Sequence, residues 1–238
     1  MRYLLWLLLN LRLYHLIFPA RSRLARKYLS GSGIEIGALH LPLPVPERAR
    51  VRYVDHAANA RLRTCYPELS IFRLTPVDIV DNGEMLDTIP AVSLDFIIAN
   101  HFYEHCENPL KTFMIHLSRL KPGGMLYLAV PDKGKTFDKY RPITPIEHLL
   151  DDYHNGPEHS RFEHYREWVR ALEQVPEGRV DDRARKLMGD RYSIHFHVWT
   201  MTAFLTMLEY LAHSLKQRFI VKETVLSRNE FIVVLQKS

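Results

Sequence analysis

The chain has little cysteine: Cys65 and Cys106 are the only two in 238 residues, and they stand far apart with no paired spacing. That argues against a disulfide framework or a thiolate metal site, and it fits a reducing cytoplasm. Low-complexity segments and internal repeats are also missing, so neither a solenoid nor a disordered linker is expected. No charge of one sign dominates. The formal net charge of +5 permits an anionic partner without implying one. Its basic residues gather at Arg21, Arg23, Arg26 and Lys27 and again at Arg179, Arg183, Arg185 and Lys186. Read as solvated helix faces, these clusters make no case for a nucleic-acid partner. Nor is there a long uninterrupted apolar run. Residues 1–20 come nearest, but Asn10, Arg12 and His15 interrupt them and Pro19 ends them. A membrane span wants about 20 unbroken apolar residues, and a signal peptide wants a small-residue cleavage site that does not follow here. Two readings of residues 1–20 stay open. One is a helix packed on its own domain, on a second copy or on another partner. The other is a helix in the membrane interface, with the following arginines on anionic lipid. The expected location is the cytoplasm, peripheral to a membrane if the second reading holds.

What is present is an alternation of strand and helix signals over one domain's length, with 1–30 as an apolar appendage and 31–238 as the folded unit. Ile34-Glu35-Ile36 reads as a buried strand after a turn at Ser30 to Gly33, and Val51 to Val54 as the next, capped by Asp55. Between them lie Pro42, Pro44 and Pro46, which exclude a regular crossover helix and predict an extended loop at His40 to Pro46. A strand, a glycine turn at Gly37 and an acidic residue about 20 positions on form the geometry by which Rossmann-like sheets hold an adenosine ribose. Ala38, Leu39 and His40 stand where a pyrophosphate site would want further glycines.

Further on, a helix over 57–69 broken near Pro67, a short strand at Val77 to Val80, and a buried strand at Leu94 to Ala99 follow. An amphipathic helix over 109–120 stops at Lys121-Pro122-Gly123-Gly124, and Met125 to Val130 is the next strand, ending at Pro131-Asp132. From 133 to 199 the alternation lapses, with one helix near 160–174. A segment that long reads as a functional insertion placed to cover the site. A helix at 201–215 and strands at Phe219 to Leu226 and Glu230 to Leu235 close the chain. The short link between those strands permits only an antiparallel hairpin.

The ordered set Glu35-Ile36-Gly37, Asp55, Leu94 to Asn100, Glu104-His105-Cys106-Glu107-Asn108-Pro109-Leu110 and Leu120 to Leu126 resembles the class I S-adenosylmethionine-dependent methyltransferases, in particular their bacterial type 11 group. A looser similarity, through Thr144-Pro145-Ile146-Glu147-His148-Leu149 and His195-Phe196-His197-Val198-Trp199, is to glycan-modifying members. The resemblance implies an α/β Rossmann-like fold. Its seven-stranded sheet would be mostly parallel, with a C-terminal antiparallel hairpin and an inserted cap. S-adenosylmethionine would be the cofactor. Asp55 would take the ribose hydroxyls, Asp81 with the Asn82 backbone the adenine edge, and Glu35 and the backbone around Asn100 and His101 the methionine end, over a platform at Gly37 and Ala38, with His105 in the loop after the fourth strand. A cofactor without phosphate needs no row of amides at a helix N-terminus, which agrees with the missing glycines. Beside these roles stand plainer ones: Glu35 holding loop amides, Asp78 taking the part given to Asp81, and Asp81-Asn82-Gly83 serving as a turn.

Methyl transfer to a hydroxyl needs a base, and histidine suits neutral pH. The insertion offers His148, His154, His159, His164, His195 and His197, of which His154, His195 and His197 are the candidates, with Asp132 facing the site from a strand end. Alternation with Phe196 and Val198 would put His195 and His197 on one face of an extended strand. Two other readings stay open: two histidines with Asp132 or Asp151 holding a divalent ion, or hydrogen-bonded structural groups. Tyr140, Arg141, Tyr153, Tyr165, Trp168, Tyr192 and Trp199 suit stacking on a polyhydroxylated acceptor, or build the cap's own core. The function expected is O-methylation of a sugar, glycan or other small hydroxylated metabolite. The alternative is a non-catalytic S-adenosylmethionine-binding module tethered to a membrane or partner by residues 1–20.

Overall fold

The computed structural model describes residues 18–238. The apolar helix expected over residues 1–20 lies almost wholly outside the described residues. Among those that are described, no helix is long and apolar enough to cross a membrane.

Helix α1 (Pro19–Tyr28) opens with proline at its first position, where the missing N–H is not needed. Strands β1 (Gly31–Ile36) and β2 (Ala49–Asp55) follow, then α2 (Asn59–Cys65) and the two-residue β3 (Ile79–Val80). Next come β4 (Leu94–Asn100), α3 (Pro109–Arg119) and β5 (Leu120–Pro131). The insertion carries α4 (Ile146–Asn155), α5 (Arg161–Trp168) and α6 (Val180–Gly189). Helix α7 (Met201–His213) and strands β6 (Phe219–Ser227) and β7 (Glu230–Lys237) complete the chain.

The sheet runs β3-β2-β1-β4-β5-β7-β6. Its first five strands are parallel, and β7 slots antiparallel between β5 and β6. This is the α/β architecture expected, with the C-terminal hairpin closing a mostly parallel sheet. Both faces are covered, so β4 is apolar at nearly every position. Ile97 and Ala99 face a cluster built with α3 and α7, while Phe96 and Ile98 face Leu24, Ala25 and Leu29 beside α1.

The basic cluster on α1 is not simply solvated. Arg21 is buried against Glu230, and Arg23 and Lys27 both reach Glu223 of β6, at 3.0 and 2.7 Å. The turn expected at Ser30 to Gly33 is instead the start of β1, which pairs with β2 from Gly31 onward. No helix joins β1 to β2, as the prolines demanded. The loop is tied back by the Leu43 amide, which donates to both carboxylate oxygens of Glu35 at 2.9 and 3.0 Å. Strand β3 is shorter than expected because Asp78 takes the Tyr53 amide with its side chain, at 2.8 Å, where a carbonyl would continue the ladder. Helix α3 ends at Arg119, just before Lys121 to Gly124 as expected, but β5 starts earlier than expected, at Leu120, and takes those residues in; a register shift between Leu94 and Phe96 absorbs them.

The insertion is more regular than its composition suggested. Besides α4, α5 and α6 it has a wide-pitched turn, Val169–Glu173, extending α5, and a small core of Tyr165, Val169, Val180, Leu187, Ile194 and Phe196. It is fastened to the sheet by Arg161, which grips Glu107 through two bonds of 2.7 and 2.6 Å, and by Asn108, which donates to the Asp152 carbonyl at 2.8 Å.

Candidate functional site

At the carboxyl ends of β1 and β4, where the strand order reverses, lies a cavity of about 510 Å³. This is where open α/β sheets bind ligands, and the volume is that of a cofactor-sized pocket. Its wall includes the loop after β1, the end of β4, the foot of α1 and the β6–β7 turn. Gly37 sits at φ +64°, in the left-handed region, and a Cβ there would meet nothing within 4 Å. Any other side chain would therefore project into open space instead of leaving a flat backbone platform. Asn100 stands beside Glu35, yet neither of its buried amide atoms meets the geometry of a hydrogen bond. An unpartnered buried amide is costly unless a ligand completes it.

Charged groups ring this cavity. Burial pushes the Glu35 carboxyl up to about 8, against the pull of the Leu43 amide and Arg21. His101, at φ +50°, ends β4 in a strained conformation for a non-glycine residue. Its Nε2 lies 2.7 Å from Glu230 Oε2, and its Nδ1 is 3.6 Å from Glu104 Oε1. Glu230 also accepts from Arg21, through Nε at 2.7 Å and through Nη2. Burial alone would raise its carboxyl, but these bonds outweigh it and pull Glu230 down to about 2. Glu104 is fully buried with neither oxygen hydrogen-bonded, and burial pushes it up to about 7. His101 is thus flanked by one ionised carboxylate and one poised near neutrality.

Of the residues expected to hold a cofactor, Glu35, Gly37, Ala38, Asn100 and His105 line this cavity together; Asp55, Asp81 and Asn82 do not. Asp55 is buried at the end of β2, with Oδ1 2.8 Å from the His56 amide and from His56 Nδ1. Asp81 accepts from the Asn82, Asp87 and Thr88 amides and from the Thr88 hydroxyl, so its oxygens organise the turn after β3. Asn82 joins that turn by accepting from Glu84 N at 2.9 Å.

The four proposed catalytic residues do not converge. Asp132 accepts from the Gly134 amide at 2.9 Å and caps the turn after β5. His154 is exposed on α4, against the Tyr153 ring. His195 and His197 do not share one site. His195 pairs through Nδ1 with Asp138 at 2.6 Å and packs on His105, with ring centres 4.8 Å apart. His197 is fully buried and donates from Nε2 to the Glu107 carbonyl at 3.3 Å. The segment that carries them makes no strand ladder, so strict alternation does not govern where its side chains go.

No residue of 133–199 lines the strand-end cavity. The insertion reaches it indirectly, through His105, whose Nδ1–H donates to the Ile194 carbonyl at 2.8 Å. A larger cavity of about 800 Å³ lies wholly within the insertion, between residues 140–148 and α5. None of its lining residues comes from a strand end, so it lies outside the crevice the topology marks. Among the insertion's aromatics, Tyr165 and Trp199 are buried in the core, whereas Tyr140 and Tyr192 are exposed. Arg141 is buried between Asp138 and Glu167.

Sequence reasoning placed only the backbone of His101 at the site and missed its side chain, together with Arg21 and Glu230. The signal for His101 was its place directly after β4, a strand end. No local signal could join Arg21 to Glu230, which lie 209 positions apart.

Residues 21–209 match the family described as methyltransferase domain. No curated protein sequence matches the chain closely enough to count as a relative. Among solved structures, one from Rhodobacter sphaeroides, provisionally described as a Zn-dependent alcohol dehydrogenase, is similar at TM-score 0.53 and 14% identity, covering 92% of this chain and 89% of that one. The PH0226 protein of Pyrococcus horikoshii OT3 gives 0.52 and 12%, over 94% and 91%. A Listeria monocytogenes protein, provisionally described as an S-adenosylmethionine dependent methyltransferase, gives 0.50 and 10%, over 93% and 97%. At such identities these likenesses speak to the fold alone.

Proposed function

Since the chain belongs to the methyltransferase-domain family, whose cofactor is S-adenosylmethionine, we propose that it methylates an oxygen of a small hydroxylated acceptor, a sugar or glycan, with His101 as the base. The observation that carries this reading is the placement of His101 on the strand-end cavity between Glu230 and Glu104.

The residues present suit this cofactor. The loop after β1 has no helix N-terminus to cradle phosphates, which would cripple a dinucleotide site but costs nothing here. Gly37 and Ala38 give the platform, Asn100 has amide atoms to offer, and the ionised carboxylate of Glu230 suits a cationic ligand. When bound, S-adenosylmethionine supplies a methyl group already attached to a good leaving group.

The protein's own task is therefore to orient the acceptor and take its proton. Glu230, ionised at neutral pH, accepts the Nε2–H of His101 and so selects the tautomer whose Nδ1 carries the lone pair. Nδ1 takes the hydroxyl proton, and the flanking carboxylates stabilise the imidazolium that results. His101 is favoured over the insertion's histidines because it lines the cavity and none of them does. The looser similarity of Thr144 to Leu149 and of His195 to Trp199 to glycan-modifying members is what points to a sugar-like acceptor.

The test is methyl transfer from labelled S-adenosylmethionine to a panel of sugars and oligosaccharides, with wild type and His101→Ala. The variant should lose roughly 10²–10⁴ in kcat, the usual worth of a general base, with cofactor affinity little changed. Full activity in His101→Ala would overturn the assignment of the base. Cofactor binding without transfer to any hydroxyl would favour the non-catalytic module instead.

A further inference from the structure

The insertion holds a second cluster whose chemistry the methyl-transfer site does not use. His148 and Asp152, one turn apart on α4, meet His164 of α5 and His197 of the segment before α7, and one ligand atom from each lies within 4.8 Å of all the others. Three of the four residues are buried. His148 Nε2 is 2.9 Å from His164 Nε2 and 3.2 Å from Asp152 Oδ2, the latter in a geometry that makes no hydrogen bond.

Three of the four outer atoms are engaged, while two of the inner ones, His197 Nδ1 and Asp152 Oδ2, make no hydrogen bond. His197 donates its Nε2–H to the Glu107 carbonyl, which leaves Nδ1 as a buried lone pair with no donor. Asp152 accepts the Ser160 hydroxyl on Oδ1 at 2.6 Å, leaving Oδ2 buried with no hydrogen bond, 3.2 Å from His148 Nε2. His164 makes its outer bond to the backbone of Phe196. Outer bonds of this kind orient metal-binding imidazoles and carboxylates. Within the protein the centre holds one donor, the Nε2–H that His148 directs at His164 Nε2, which leaves the lone pairs of His197 Nδ1 and Asp152 Oδ2 without one. A cation would answer every one of them.

We infer that His148, Asp152, His164 and His197 bind a zinc-type divalent cation that clamps α4, α5 and the segment before α7 into one cap. Three nitrogens and one oxygen form a ligand set typical of tetrahedral zinc, and four protein ligands make a closed, structural site. Bonds of 2.0–2.1 Å place tetrahedral ligand atoms about 3.4 Å apart, so modest side-chain rotation closes the cluster onto an ion. Two ligands come from one helix turn and two from separate elements. The ion would therefore crosslink segments whose shared apolar core is small.

The experiment uses the full chain, stripped with a chelator and titrated with Co²⁺ and Zn²⁺. We expect one cobalt per chain with the visible spectrum of a tetrahedral site, displaced by zinc. Zinc at about a hundredfold excess over Kd should raise Tm by about 5–10 °C. Asp152→Asn, which keeps the side chain's shape, should lose at least about tenfold in affinity, whereas Glu104→Gln, in the neighbouring Glu104–His105–His195 group, should retain the metal. An octahedral or absent cobalt spectrum, an unchanged Tm, or loss of metal in Glu104→Gln but not in Asp152→Asn would overturn the assignment. The cobalt titration of wild type needs no variant to fold.

Discussion

Replacing Glu230 by Gln removes one negative charge from the junction of α1, β4 and β7 while preserving its shape. In the native chain Glu230 is 2% exposed and answers Arg21, which is 6% exposed, as well as His101. Its carboxyl lies at about 2 instead of 4.5, a shift worth about 3 kcal/mol at 1.36 kcal/mol per unit. Breaking one side of a buried ion pair costs a similar 3–5 kcal/mol or so. For a chain of this size that is a loss of roughly 6–12 °C in Tm at neutral pH. The sign of the pH dependence is set by the depressed pKa. The stabilisation is complete above about 4.5 and is lost as pH falls toward about 2. Calorimetry of wild type and Glu230→Gln should therefore show two Tm curves well separated at pH 7 and converging below pH 4.5. Methyl-transfer kinetics on the same variant should show a fall in kcat, because His101 loses the acceptor that holds its tautomer. A Tm difference under about 2 °C at pH 7, or one that persists unchanged at pH 3, would refute the argument.

Gly37→Ala should weaken S-adenosylmethionine binding with a modest cost in stability, of about 1 kcal/mol for the left-handed backbone, because the added methyl enters the cavity; equilibrium binding and Tm measured together check this. Asp81→Ala should destabilise the fold by about 2–3 kcal/mol by freeing four donors of the turn, while Asp55→Ala, which frees only the His56 groups, should cost less, and urea melts of the two variants compare them. His116, buried between the Tyr103 hydroxyl and the Gly83 carbonyl, is held by burial at about 4. A neutral buried histidine costs stability as pH falls from 6.5 toward 4, so wild type should lose about 1.4 kcal/mol per pH unit relative to His116→Gln in that window; parallel urea midpoints would expose a wrong sign.

Local chemistry alone determined most of the fold. Continuous apolar runs at Leu94 to Ala99 and Met125 to Val130 specify strands covered on both faces, and three prolines specify a loop where a helix usually follows the first strand. The short link between β6 and β7 left an antiparallel hairpin as the only option. Those signals are local because hydrogen-bond geometry and steric restriction act within a few residues. The cofactor cavity was half legible for the same reason, since Glu35, Gly37 and Asn100 stand at strand ends that pattern can find.

What only the tertiary structure decided is which side chains meet. His195 and His197, two residues apart, enter different clusters because their segment has no partner strand to impose alternation. Arg21 and Glu230 meet only because β7 inserts between β5 and β6 and brings the hairpin turn to the foot of α1. His148 and Asp152 were one helical turn apart in a helix that the sequence did not announce, and His164 and His197 join them only through the packing of the cap. Contacts of that range are set by strand order and helix docking, which no short stretch of chain encodes.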